Sequence, residues 1–110
     1  GAEPRVLAGA KRTIKTHPPV LFLENNSEEG SPVVLKALNE LGYACWWHTA
    51  HYFNPQNYFG NGERLFQTYY ESNVLCFPKE AQVNAQGLWP VEGQEDTLQK
   101  AMRRHGLPAP

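Results

Sequence analysis

The sequence predicts an α/β fold: a partial, mostly parallel, doubly wound sheet with flanking helices. Three observations predict it. Short apolar runs alternate with segments of helical periodicity, in the order helix, strand, helix, strand, loop, strand. The apolar runs are unalternated, as in strands buried on both faces. Three such strands leave hydrophobic sheet edges open, and no strand precedes the first helix, so the chain reads as the second half of a larger domain.

Glu3-Pro4 opens the first helix, where proline's missing N–H costs nothing. Val6, Leu7, Ala10 and Ile14 recur at helical spacing, with Arg5, Lys11, Arg12 and Lys15 on the other side. His17-Pro18-Pro19 ends the helix, because the residue before proline is pushed out of the α region. Val20 to Leu23 is a parallel-type strand that runs into Glu24-Asn25-Asn26. Ser31-Pro32 caps and starts a second helix striped by Leu35, Leu38 and Leu41, and Gly42 stops it. Tyr43 to Thr49 is the second strand and Asn73 to Phe77 the third, with one or two helical turns between Glu63 and Tyr70. Beyond Lys79 the sequence predicts a tail, anchored at Trp89-Pro90. It carries a possible short helix from Glu95 to His105, with Asp96 as cap, Leu98, Ala101 and Met102 as its face and Gly106 as stop.

A length of 110 residues with 41% hydrophobic and 12% aromatic side chains suits one domain or part of one. A net charge of -1 supplies no field to steer nucleic acid or an anionic membrane, and neither is expected as a partner. The basic residues of the first helix read as a solvated face. No apolar run approaches membrane-spanning length, and Gly-Ala-Glu-Pro has neither the basic nor the apolar region of a signal peptide. A cytoplasmic location is therefore expected, and the Asn25-Asn26-Ser27 sequon carries little weight. Cys45 and Cys76 fall in buried strands, where a free thiol behaves as a small hydrophobe. A disulfide between them is geometrically allowed, and nothing in the sequence argues for one.

The stretch from Tyr43 to Asn61 is a strand that runs into an aromatic, amide-rich loop, a common wall of a ligand site. An ordinary core strand and loop is an equal reading. Glu24 and Asn25 sit at a strand's carboxyl end, where open α/β sheets place ligands; a strand-end cap is the alternative for Glu24. His48 suits a general base, because imidazole exchanges protons near neutral pH, although a packed, hydrogen-bonded histidine is the plainer reading. His48 and His51 form an H-x-x-H pair, but residues three apart on a strand point to opposite faces, so no metal is expected. Glu3 starts a helix and favours its positive end. No G-x-S-x-G, G-x-G-x-x-G or Walker loop is present, so the chain has no phosphate or nucleoside cradle of its own.

Three stretches together resemble the C-terminal half of an FkbM-type S-adenosylmethionine-dependent methyltransferase. Gly1-Ala-Glu-Pro-Arg-Val-Leu7 with Gly9-Ala10 is similar to the segment in which an acidic D-V-E-G-x-E pattern precedes a helix. Val20-Leu-Phe-Leu-Glu-Asn25 resembles the next strand. Trp46-Trp47-His48, Phe53-Asn54-Pro55, Asn57, Phe59-Gly60-Asn61, Asn73 and Leu75-Cys76 resemble the closing section. The likeness spans residues 1–79 and leaves 80–110 uncovered. His51 stands where relatives are expected to carry proline.

The resemblance implies a Rossmann-like methyltransferase fold and methyl transfer to a hydroxyl of a sugar or secondary metabolite. It places Glu3 on the cofactor, S-adenosylmethionine, and Glu24 and His48 among the catalytic groups. Asn25, Asn54, Asn57 and Asn61 would border the acceptor. The glycine-rich cofactor loop is missing, so the chain alone is expected to be inactive. A non-catalytic α/β interaction module, binding a glycan or protein through the aromatic loop, is the alternative. A homodimer that completes the sheet is a third.

Overall fold

The structure, a computed structural model, describes residues 2–25, 30–51, 56, 58–60 and 70–107. They form a small α/β unit: α1 (Glu3–Thr16), β1 (Leu21–Glu24), α2 (Ser31–Glu40), β2 (Tyr43–His51), β3 (Tyr70–Pro78), a single 3-10 turn (Lys79–Ala81), β4 (Trp89–Pro90) and α3 (Leu98–Arg104).

Local chemistry accounts for most of the boundaries. Pro4 lies in the first turn of α1, and Leu7 and Ile14 are buried with Ala10 packed beside them. Val6 departs from the expected stripe and faces solvent. His17 leaves helical geometry before Pro18, and its N–H still donates to Thr13 O at 2.9 Å. Ser31 is the first residue of α2 and not its cap. Its hydroxyl accepts from Asn25 Nδ2 at 2.9 Å, and Gly30 takes the cap position. Gly42 turns the chain from α2 into β2 at φ +83°, a backbone that side-chain-bearing residues rarely adopt. Of the helical turns expected from Glu63 to Tyr70, residues 63–69 lie outside the described residues, and Tyr70 opens β3.

The sheet differs from the expected one. Its order is β1-β3-β2-β4 and every neighbouring pair is antiparallel. A mostly parallel sheet was expected from the alternation of helices and strands, which holds only if β3 joins at the outside of β2. Instead β3 inserts between β1 and β2 and runs against both. Those two strands therefore point the same way and are joined through α2, yet they share no ladder. The register pairs Leu23 with Val74 on one side of β3 and Trp47 with Val74 on the other.

Nor is β1 buried on both faces. In β1, Leu21 and Leu23 are half-buried while Phe22 and Glu24 are exposed. The reason is one-sided packing. Leu21, Leu23, Tyr43, Cys45, Trp47, Val74 and Cys76 share one face and cluster with Leu7 and Ile14 of α1, Val34, Leu35 and Leu38 of α2, and Leu98 and Ala101 of α3. Phe22, Glu24, Trp46, His48, Asn73, Leu75 and Phe77 alternate onto the other face. Trp46 packs there edge-on against Phe77, with ring centroids 5.7 Å apart.

The segment expected to be a tail contributes β4 and α3 to this core. A buried carboxylate holds it. Asp96 accepts from Trp47 Nε1 at 3.1 Å, from the Glu92 backbone N–H at 3.0 Å, and from both guanidinium nitrogens of Arg104 at 2.7 and 2.9 Å. Arg104 Nε meets Glu92 at 3.0 Å. With Asp96 so engaged, the cap of α3 is Thr97, whose hydroxyl accepts from Lys100 N–H at 3.1 Å. The helix is correspondingly shorter than the expected span of Glu95 to His105. Trp89 stacks flat on His105, centroids 4.9 Å apart. Among the described residues no helix is long and apolar enough to cross a membrane.

Candidate functional site

The insertion of β3 has a chemical consequence. Because β1 and β2 run the same way, their carboxyl ends lie at one end of the sheet, and β3 begins there. Glu24, Asn73 and His48 form a single cross-strand row at the carboxyl end of β1, three residues before β2 ends at His51, with Glu24 paired with Asn73 and Asn73 with His48. Residues directly opposite in a ladder share a face. Two strand spacings separate Glu24 from His48, about 10 Å across the row.

Asn73 sits at the centre and is only 2% exposed. Its Nδ2 lies 3.4 Å from His48 Nδ1. The donor and acceptor in this contact follow from the imidazole tautomer. With the amide nitrogen toward Nδ1, the ring proton sits on Nε2. A half-turn of the carboxamide presents Oδ1 instead, holds the proton on Nδ1, and leaves Nε2 able to accept one. The ring is steadied by Phe22, which meets it edge to face at 5.2 Å. That contact also explains why Phe22, at 56% exposed, stands on the open face.

His48 also borders open space. A groove of about 400 Å³ runs past the end of β4 and is lined by Trp47, His48, Thr49, Leu88, Trp89 and Leu98. A second cleft of about 380 Å³ lies between α2, β2 and β4 and does not reach His48.

Glu24 and His48, singled out from the sequence, thus come together in one row. Asn25 is beside them but committed to structure. Its N–H donates to Ser72 O at 2.7 Å, its amide holds Ser31, and it is buried. Glu3 begins α1, on the helical side of the sheet. Asn54, Asn57 and Asn61 lie outside the described residues. Sequence reasoning gave Asn73 no role, although an amide opening the apolar run Val-Leu-Cys-Phe is a signal, since asparagine is depleted in strands. Asp96 was likewise read as a cap.

Among the described residues no three His, Cys, Asp or Glu side chains are grouped to hold a metal ion. Nor do the described residues make a nucleoside cradle. Of the positive-φ glycines Gly42, Gly60, Gly87, Gly93 and Gly106, Gly93 alone lies between a strand, β4, and the start of a helix, α3, and it stands there without the repeated glycines of a phosphate loop. S-adenosylmethionine does not fit a site built from these residues alone. Compared with protein-family models, with curated proteins and with solved structures, the chain matches none.

Proposed function

We propose that this chain is the acceptor-side half of an S-adenosylmethionine-dependent O-methyltransferase acting on a hydroxyl of a sugar or secondary metabolite. The observation that carries the reading is the Glu24–Asn73–His48 row, which crosses the sheet at the carboxyl end of β1. The crossover β1-α2-β2 makes β1 and β2 codirectional, within a sheet whose neighbouring strands are all antiparallel. The edge of β1 that faces away from β3 carries no strand among the described residues. In this reading the cofactor-binding half continues the sheet there, and Glu3 lies on its side.

The chain's own contribution is positioning and proton transfer. With the Asn73 carboxamide turned so that Oδ1 accepts from His48 Nδ1–H, His48 Nε2 takes the proton of the acceptor hydroxyl, and Glu24 holds a neighbouring hydroxyl of the acceptor. The methyl group comes from the cofactor held by the rest of the enzyme.

A second reading has its own observation. Tyr58 and Phe59 are 95% and 89% exposed, with rings edge to face at 5.1 Å. Solvated aromatic rings beside amide side chains suit a glycan- or protein-binding module without catalysis. One experiment separates the two. A longer protein that carries this chain after an acidic strand end and a glycine-rich loop is assayed for methyl transfer from S-adenosylmethionine to hydroxylated acceptors, and the chain alone is titrated with glycans. Transfer to a hydroxyl supports the enzyme. Glycan binding by the chain alone, with no cofactor binding by the longer protein, supports the module.

A further inference from the structure

The two cysteines, far apart in sequence, are direct neighbours in space. Cys45 of β2 pairs with Cys76 of β3. The kind of pair follows from the backbone. Cys45 O accepts from Val91 N–H at 2.9 Å, so the polar groups of Cys45 point outward, toward β4 and away from β3. Those of Ser72 point toward β1, where its carbonyl accepts from Asn25 N–H at 2.7 Å, and Cys76, four residues on, has the same parity. Cys45 and Cys76 therefore occupy a non-hydrogen-bonded position of the β2–β3 ladder. This is the closer of the two antiparallel pairings, with Cα atoms about 4.5 Å apart and side chains on one face. That separation lies within the range a disulfide spans without backbone movement.

We infer that Cys45 and Cys76 are a redox-active dithiol that closes into a reversible cross-strand disulfide, with a low-molecular-weight disulfide such as glutathione disulfide as the oxidant. The two thiols differ in access. Cys45 is half-buried and lines the 380 Å³ cleft between α2, β2 and β4, while Cys76 is fully buried. Cys45 meets the oxidant. Its thiolate attacks one sulfur of the small disulfide, forming a mixed disulfide and releasing one thiol. Cys76 then loses its proton and attacks the Cys45 sulfur, and the second small thiol leaves. Two protein thiols are oxidised and one small disulfide is reduced to two thiols. The neighbouring Cys45 sulfur, and then burial, push the Cys76 thiol upward, so closure is the slow step and quickens as pH rises.

The test incubates the chain in glutathione redox buffers, blocks remaining thiols and maps the products after trypsin. Cleavage after Lys36, Arg64 and Lys79 puts the cysteines in separate peptides, 37–64 and 65–79. The expected result is a mass lower by two hydrogens, a linked 37–64/65–79 pair, loss of both free thiols, and full return on excess reduced glutathione. Cys76→Ser is expected to stop at a glutathione adduct on Cys45, and Cys45→Ser to leave Cys76 unmodified. The wild-type map needs neither variant. Wild-type chain that keeps both thiols, or that ends as an adduct on Cys45 with no linked peptides, overturns the inference.

Discussion

Asp96 shows how much one side chain can organise. Burial alone would push its carboxyl up. The bidentate Arg104 guanidinium, the Glu92 N–H and the Trp47 indole N–H outweigh burial and bring it down to about 2. The free carboxyl of an unfolded chain titrates near 4. A group whose folded pKa is depressed contributes stability that is complete above its unfolded value and is lost as pH falls toward the folded one. Roughly 2 kcal/mol of stability should therefore be present at neutral pH and disappear between about pH 4 and 2. Asp96→Asn should cost about 2 kcal/mol at pH 7 in urea unfolding, with a smaller fall in stability across that acid window than the parent shows. Equal pH slopes for the two proteins would remove Asp96 from the account. Arg104 is the partner that makes the difference, because Asp96 is nearly inaccessible to water while the guanidinium is about one-third exposed.

At the scale of elements, β3 and α2 carry the architecture. Leu38 is fully buried in α2, between the strands it connects and the core cluster. Leu38→Ala should cost about 2–5 kcal/mol in chemical denaturation, through lost transfer energy and the cavity left behind. Removing residues 80–110 should do more than trim an end. It takes away β4, the buried Leu98 and Ala101, and the acceptor for the Trp47 indole. The shortened chain should lose cooperative unfolding in circular dichroism, whereas a dispensable tail would leave the midpoint unchanged. Most elements were legible because their signals are local: proline in first turns, Gly42 after the Leu35–Leu38 stripe, dense β-branched and aromatic runs. The pairing of strands was not legible. Whether β3 joins outside β2 or slips between β1 and β2 depends on long-range contacts, and the same apolar run Val74-Leu-Cys-Phe77 fits either place. Asp96 was misread for a related reason. An acid before a helix looks like a cap until a distant indole and guanidinium claim it.

For the molecule as a whole, all three helices of the described residues pack on one face and leave a polar row at one end of the other. Glu24 and His48 were singled out from the sequence because strand ends and histidines can carry chemistry, and the structure shows that both pair with Asn73. Asn73 could not, because its importance lies in the register that sets it between them. We propose that His48, beside Asn73, takes the acceptor hydroxyl's proton in methyl transfer. It is tested most directly by the turnover number of the full enzyme with and without the imidazole. His48→Ala should lower kcat about 10²–10⁴-fold while the affinity for S-adenosylmethionine stays the same. An unchanged kcat in a folded His48→Ala enzyme would contradict the account.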